Sequence, residues 1–187
     1  TAECDAVRGF TSPPALDADL ERVASEMRLV KDDYEVSELR AAIASTHAGF
    51  TDIVEVLPGS IGHARGERIV EGAFHSRARL EGNSVGYDSI VASGSHACIL
   101  HWVTNDGPIS PGDLLLVDAG VERDSLYTAD ITRTIPVSGT FTPHQREVYE
   151  AVLEAADVAF AMVKPGVSFH EIHDAAYQPS AQRGAHG

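Results

Sequence analysis

The stretch that most constrains the fold of this chain is residues 113–139, DLLLVDAGVERDSLYTADITRTIPVSG. Four apolar residues in succession, bounded by polar ones, are typical of a strand buried in a core. The short charged segment VERDS is typical of a solvent-exposed turn. The sequence therefore predicts a hairpin, with a buried strand at residues 114–117 and a returning strand at residues 127–136.

Asp118 and Asp130 are the informative side chains of this hairpin, because each lies beside the turn end of its strand. The hairpin folds them toward each other, and two neighbouring carboxylates resist joint ionisation. A divalent cation removes that repulsion, since hard oxygen ligands suit Mn²⁺, Mg²⁺ or Co²⁺ and a carboxylate can bridge two ions. The alternative is purely structural: Asp118 caps a turn and Asp130 pairs with Arg133, which is common turn chemistry.

Helices and short strands are predicted on both sides of the hairpin from hydrophobic periodicity and from capping signals. Before it, the sequence predicts a helix at 15–28, a helix from Asp32 or Asp33 that Pro58-Gly59 stops, a helix at about 66–81, and strands at 89–93 and 97–102. After it, capping boxes at Thr142-Pro143-His144-Gln145 and at Ser168 with Glu171 open two further helices. The expected fold class is α+β.

Two segments echo each other, VEVLPGSIGHARGERI at 54–69 and AMVKPGVSFHEIHDAA at 161–176. Both contain a helix end, a Pro-Gly step, a small loop and a new helix start. A duplicated unit of helix, turn, helix and strands explains the similarity.

Composition excludes several classes of partner. The net charge of −14 argues against nucleic acid and against anionic membrane surfaces, because both require clustered Lys and Arg. No stretch approaches the roughly 20 apolar residues of a membrane span. The two cysteines, Cys4 and Cys98, form neither a disulfide framework nor a CxxC metal site, which fits a reducing, cytoplasmic location.

Three separate sequence motifs match one known pattern: DAG at 118–120, YTADITRT at 127–134 and PVSGTF at 136–141. Together they resemble the pita-bread metallopeptidases, and within them the Xaa-Pro peptidases aminopeptidase P and prolidase. The resemblance runs from about residue 27 to 175 and implies a pita-bread (creatinase/aminopeptidase) fold that is truncated after its first half. Residues 1–30 would then end an N-terminal domain and its linker helix, 31–176 would form the first half of the catalytic domain, and 177–187 would be an irregular tail.

The resemblance also implies an activity, namely release of the N-terminal residue from peptides with proline in second position, by hydroxide held between two divalent metal ions. It assigns Asp118 to one ion, Asp130 to a bridging position, and His101 in ILHW to contact with the peptide and the reaction intermediate. Mn²⁺ is the metal expected first, with Co²⁺ or Zn²⁺ as alternatives. The family's remaining ligands, one His and two Glu, belong to the second half, so this chain alone is expected to hold an incomplete site and to be inactive.

Alternatives remain at the level of residues and of function. His101 would otherwise be a core histidine packed beside Trp102. The cluster His170-Glu171-Ile172-His173 is not a zinc motif, since its histidines lie three positions apart rather than four and Glu171 is explained as a helix cap. For function, the alternatives are a non-catalytic pita-bread module that binds peptides or proteins, and a prolidase acting on Xaa-Pro dipeptides. A homo-oligomer stays open.

Overall fold

The computed structural model of the chain describes residues 5–7, 9 and 14–184. Within 14–184 the helices and strands are, in order, α1 (Pro14–Met27), α2 (Asp33–Ser60), α3 (Gly66–Glu81), β1 (Ser84–Val85), β2 (Ile90–Ser93), β3 (Leu114–Ala119), β4 (Val121–Glu122), β5 (Ile131–Pro136), α4 (Pro143–Met162) and α5 (Phe169–Gly184). A short 3₁₀ helix, Gly94–Cys98, follows β2. None of the described helices has the length and apolar character needed to cross a bilayer.

The central sheet has three antiparallel strands in the order β2-β3-β5, and β1 pairs separately with β4. Side chains alternate along β3, so Leu115, Val117 and Ala119 are buried while the alternate residues are only half-buried. The buried face lies against α2 and α3, whose contribution to the core includes Ile53, Leu57, Val70 and Phe74. The sheet therefore has one covered face and one open face, and Asp118 belongs to the open one.

The predicted helix starts are confirmed, because the capping bonds are present. The Asp32 side chain accepts the Glu35 N–H and the Glu35 side chain accepts the Asp32 N–H, so α2 begins with a complete capping box. Thr142 and Gln145 form the same reciprocal pair at the start of α4, with proline at the first helical position. Both Pro-Gly segments lie near helix ends, one inside the last turn of α2 and the other between α4 and α5.

The predicted strand at 97–102 is wrong, since Ala97 and Cys98 belong to the 3₁₀ helix and residues 99–102 form no strand. Gly94 adopts a left-handed backbone with φ of +55°, which turns the chain away from the sheet. The Ser93 N–H is bonded to the buried Glu67 carboxylate rather than to a neighbouring strand. The returning strand of the hairpin is also shorter than predicted and begins at Ile131.

Two predicted helix ends also need correction. Pro58 does not stop α2, which continues to Ser60. Residues 177–184 were expected to be irregular, but their backbone continues α5 to Gly184, because extending a helix that is already nucleated costs little. Residues 185–187 lie outside the described residues.

Helices α1 and α4 each have apolar side chains that are exposed in the described structure. On α4, Val148, Val152 and Phe160 are 49%, 63% and 77% exposed. They border a groove that is also lined by Leu114, Thr132 and Thr134 of the sheet. The open face of the sheet thus continues into an uncovered apolar helix face.

We expect the exposed face of α4 to bind the dye ANS, because contiguous exposed apolar area is a site for apolar ligands. The 187-residue chain should enhance ANS fluorescence, and the double variant Val152→Asp, Phe160→Asp should lose most of the enhancement. Glu147→Gln on the same helix is the control and should leave it unchanged. Equal enhancement in the double variant would show that the dye binds elsewhere.

A bidentate ion pair joins α2 to α3 and should make stability depend on pH. Arg77 donates to the Asp52 carboxylate at 2.7 and 2.9 Å, and this hydrogen bonding lowers the pKa of Asp52 below its ordinary value of 3.8. Since the folded-state pKa is depressed, the pair stabilises the fold above about pH 4 and the effect is lost as pH falls through the folded-state pKa.

We expect Asp52→Asn to lower the melting temperature by a few degrees near neutral pH, and the difference from wild type to shrink at pH 3 and below. Thermal unfolding followed by circular dichroism measures this. Glu81→Gln, which removes the weaker 3.2 Å partner of Arg77, should have a smaller effect. A difference that stays constant down to pH 2 would contradict the ion-pair explanation.

Candidate metal centre

The register of the sheet sets where the two aspartates lie. Asp118 is opposite Ile90 of β2 and opposite Thr132 of β5. Directly opposed residues point to the same face, and so do residues two apart along an extended chain. Asp130, two positions before Thr132, therefore comes onto the open face beside Asp118.

Gly120 allows the chain to return closely enough for this arrangement. A Cβ on Gly120 would lie 1.6 Å from the carbonyl oxygen of Ala129, so a side chain cannot be accommodated there. The Gly120 carbonyl also accepts the Gly86 N–H at 2.9 Å, and a Cβ on Gly86 would meet Thr128 at 2.0 Å. These two glycines bring the segments that carry Asp130 and Tyr87 against the end of β3.

The Tyr87 hydroxyl lies between the two carboxylates. Its oxygen is 2.7 Å from Oδ1 of Asp118 and 3.0 Å from Oδ1 of Asp130. The hydroxyl has one proton, so it donates to one carboxylate at a time, and the two acceptor oxygens converge on it. Burial and then these two hydrogen bonds raise the pKa of Tyr87 far above its ordinary value, so the phenol stays protonated and remains a donor.

Tyr87 was missed by sequence reasoning. It lies in a short link between two strands, 31 positions from Asp118 and 43 from Asp130, and no local pattern marks it. Only the pairing of β1 with β4 and of β2 with β3 brings it to the carboxylates.

The two carboxylates fit a divalent cation as hard oxygen ligands of one site. Among the described residues the alternative pairing of Asp130 with Arg133 is not observed, since Arg133 donates to the Thr132 carbonyl. Among the described residues no group of three or more His, Cys, Asp or Glu side chains converges on a point where a metal would lie. In the described part of the chain, the candidate centre thus consists of two carboxylates, Asp118 and Asp130.

His101 lies on an exposed turn instead of a strand end. Its backbone is left-handed, with φ of +55°, and its carbonyl accepts the Val103 N–H at 2.8 Å. The alternative of a core histidine beside Trp102 does not hold, because the ring that stacks on Trp102 belongs to His96. His101 makes no side-chain hydrogen bond to either carboxylate within the described residues.

His170 and His173 lie on the exposed surface of α5. His170 and Asp174 are exposed and 3.7 Å apart on adjacent turns. Glu171 accepts the Ser168 N–H at 2.8 Å, and this bond lowers the pKa of Glu171. Glu171 therefore caps α5, as the sequence predicts.

Comparison with known proteins identifies relatives of this chain. The model of metallopeptidase family M24 matches residues 37–186. "Xaa-Pro aminopeptidase 2" of Streptomyces coelicolor is 57% identical over 173 residues, which are 92% of this chain and 36% of that protein. The chain spans about a third of the length of the curated relatives it matches.

Solved structures give the same result. A variant of Escherichia coli aminopeptidase P in complex with substrate superposes with a TM-score of 0.76 at 36% identity, covering 86% of this chain and 36% of that one. The zinc-substituted Escherichia coli enzyme in complex with product gives a TM-score of 0.72 at 36% identity, with 82% and 34% covered. The predicted mixed fold of pita-bread type is confirmed by these superpositions, and the chain belongs to metallopeptidase family M24.

Proposed function

We propose that this chain is part of a metal-dependent peptidase that releases the N-terminal residue from peptides with proline in second position. The observation that carries the proposal is the convergence of Asp118 and Asp130 on one hydroxyl, in a chain that is 57% identical to an Xaa-Pro aminopeptidase over 92% of its length. The reaction class is hydrolysis of an amide bond.

The two aspartates would bind the metal. Asp118 is proposed to chelate one ion and Asp130 to bridge two, with Mn²⁺ expected and Co²⁺ or Zn²⁺ as alternatives. When bound, the ions supply a nucleophile at neutral pH by lowering the pKa of water. His101 is proposed to contact the bound peptide and the reaction intermediate, and its exposure on a turn leaves its imidazole free to do so.

Tyr87 would orient the carboxylates. Because its phenol is protonated and donates to carboxylate oxygens, it fixes the direction of the remaining lone pairs. It also offsets part of the repulsion between the two negative charges. This gives Tyr87 a supporting role in metal binding that the sequence did not indicate.

The alternative functions fit less well. A non-catalytic module has no need of paired carboxylates, and both are present here. A prolidase would use the same centre on Xaa-Pro dipeptides, so substrate length separates the two activities. The net charge of −14 remains unfavourable for nucleic acid as a partner, and Cys98, a free thiol, fits the proposed cytoplasmic location.

Loss of an outer-shell partner of a metal site weakens metal binding by roughly 10–100-fold. We expect Asp118→Asn and Asp130→Asn each to weaken Mn²⁺ binding by more than this. The asparagine amide is neutral, so the site loses a charged oxygen ligand. Titration calorimetry of the 187-residue chain measures the affinity, and hydrolysis of an Xaa-Pro peptide by the native full-length protein measures activity. Asp124→Asn, on the exposed turn of the same hairpin, is the control. Full activity in both site variants would contradict the assignment of Asp118 and Asp130 as metal ligands.

We expect Tyr87→Phe to reduce Mn²⁺ affinity by about 10–100-fold while the fold is retained, because only the hydroxyl that orients the carboxylates is removed. Tyr127→Phe is a matched control, since the Tyr127 hydroxyl also donates to a carboxylate, that of Glu35 at 2.7 Å, on another part of the surface. Equal affinity in the two variants would contradict a role for Tyr87 in metal binding.

A further inference from the structure

Glu67 in the first turn of α3 is fully buried and gathers four hydrogen bonds from one loop. Oε1 accepts the Ser93 N–H at 2.9 Å and contacts Nδ1 of His96 at 2.8 Å. Oε2 accepts the Trp102 indole N–H at 3.0 Å and the Gly107 N–H at 2.8 Å. The partners come from the beginning, the middle and the end of the segment 93–107, which we call the His101 loop.

A buried carboxylate is unfavourable unless donors surround it, and these four bonds provide that environment. The same bonds close the His101 loop onto α3, because its two ends and its tryptophan share one acceptor group. Loss of the charge would leave several buried donors without a partner at once. The loop is therefore more sensitive to Glu67 than to any single contact within it.

A second anchor holds the far part of the loop. Asn105 is fully buried, accepts the Val91 N–H and donates to the Ser89 carbonyl. It also donates to Glu71, one helical turn after Glu67. Asn105 thus bonds to the residues on either side of Ile90, which is opposite Asp118 in the sheet. It therefore holds the loop next to the part of β2 that lies beside the carboxylate pair.

The backbone of the loop needs such anchors. His101 and Asn105 both have left-handed backbones, with φ of +55° and +48°. Non-glycine residues persist in this region when surrounding contacts hold them there. Trp102, adjacent to His101, donates its indole N–H to Glu67 and stacks on the His96 ring, with the ring centroids 4.0 Å apart and the planes at 27°.

We propose that Glu67 is a positioning residue whose carboxylate fixes Trp102 and thereby sets the conformation of His101. The consequence for catalysis rests on the proposed function, in which His101 contacts the peptide. The anchoring of the loop does not depend on that function. Glu67 is fully buried and both of its carboxylate oxygens are held in hydrogen bonds to the His101 loop, so its effect on the reaction is exerted through that loop.

Trp102 provides a direct readout, because it is the single tryptophan among the 187 residues. In Glu67→Gln, an amide NH₂ group replaces one of the two acceptor oxygens and lies against the N–H donors of the His101 loop. We expect Trp102 emission to shift to longer wavelength, its quenching by acrylamide to increase, and its indole ¹H–¹⁵N cross-peak to move upfield as the charge-assisted bond is lost. Glu71→Gln is the matched control, since its amide oxygen still accepts from Asn105 and the Trp102 signals should stay unchanged.

In the native full-length protein, Glu67→Gln should lower kcat for an Xaa-Pro peptide while Mn²⁺ affinity stays at the wild-type value. A general loss of structure would instead reduce both quantities. If Glu67→Gln does not fold, Trp102→Phe removes the indole N–H bond to Glu67 while it keeps an aromatic ring beside His96, and it should show the same split between kcat and metal affinity.

The outcomes separate the two proposals. An unchanged Trp102 spectrum in Glu67→Gln overturns the anchoring, and an altered spectrum with unchanged kcat overturns the positioning role. Absence of Xaa-Pro peptidase activity in the wild-type protein overturns the proposed function and with it the role of His101, while the anchoring is still decided by the Trp102 spectrum.

Discussion

The antiparallel pairing of β3 with β5 is the constraint on which the carboxylate pair depends. Its register places Asp118 opposite Thr132, which brings Asp130 to the same open face. A slip of one residue would turn Asp118 toward the core, where Leu115 and Val117 now pack. The close contact of Gly120 with the Ala129 carbonyl holds the returning chain against β3 and fixes that register.

Helix α3 connects the hydrophobic core to the candidate site. Its middle buries Val70 and Phe74 against the sheet, while its first two turns present Glu67 and Glu71 to the His101 loop. The charge of Glu67 lies in the first turn, where the helix macrodipole favours an anion. The same element thus packs the core by burial of apolar area and shapes the loop by hydrogen bonds to a buried charge.

In the candidate centre, hydrogen bonding opposes the repulsion between two carboxylates. Two carboxylates of like charge lie close together, and a protonated phenol bonds to both of them. Hard carboxylate oxygens brought together in this way suit a divalent cation, and the chain belongs to a metallopeptidase family. The uncovered faces of the sheet and of α4 continue from this centre into an apolar groove.

The sequence by itself determined the hairpin, the capped helix starts and the two aspartates, because short-range patterns encode them: apolar alternation, capping boxes and turn residues. It also determined the family, because three separate motifs occur in the order and spacing typical of that family. Only the tertiary structure decided that Tyr87 joins the carboxylates, that residues 97–102 leave the sheet, and that Glu67 organises the loop beside it. These features depend on contacts between residues far apart in the chain, such as the 35 positions between Glu67 and Trp102, and no local pattern records which distant donor a buried carboxylate will meet.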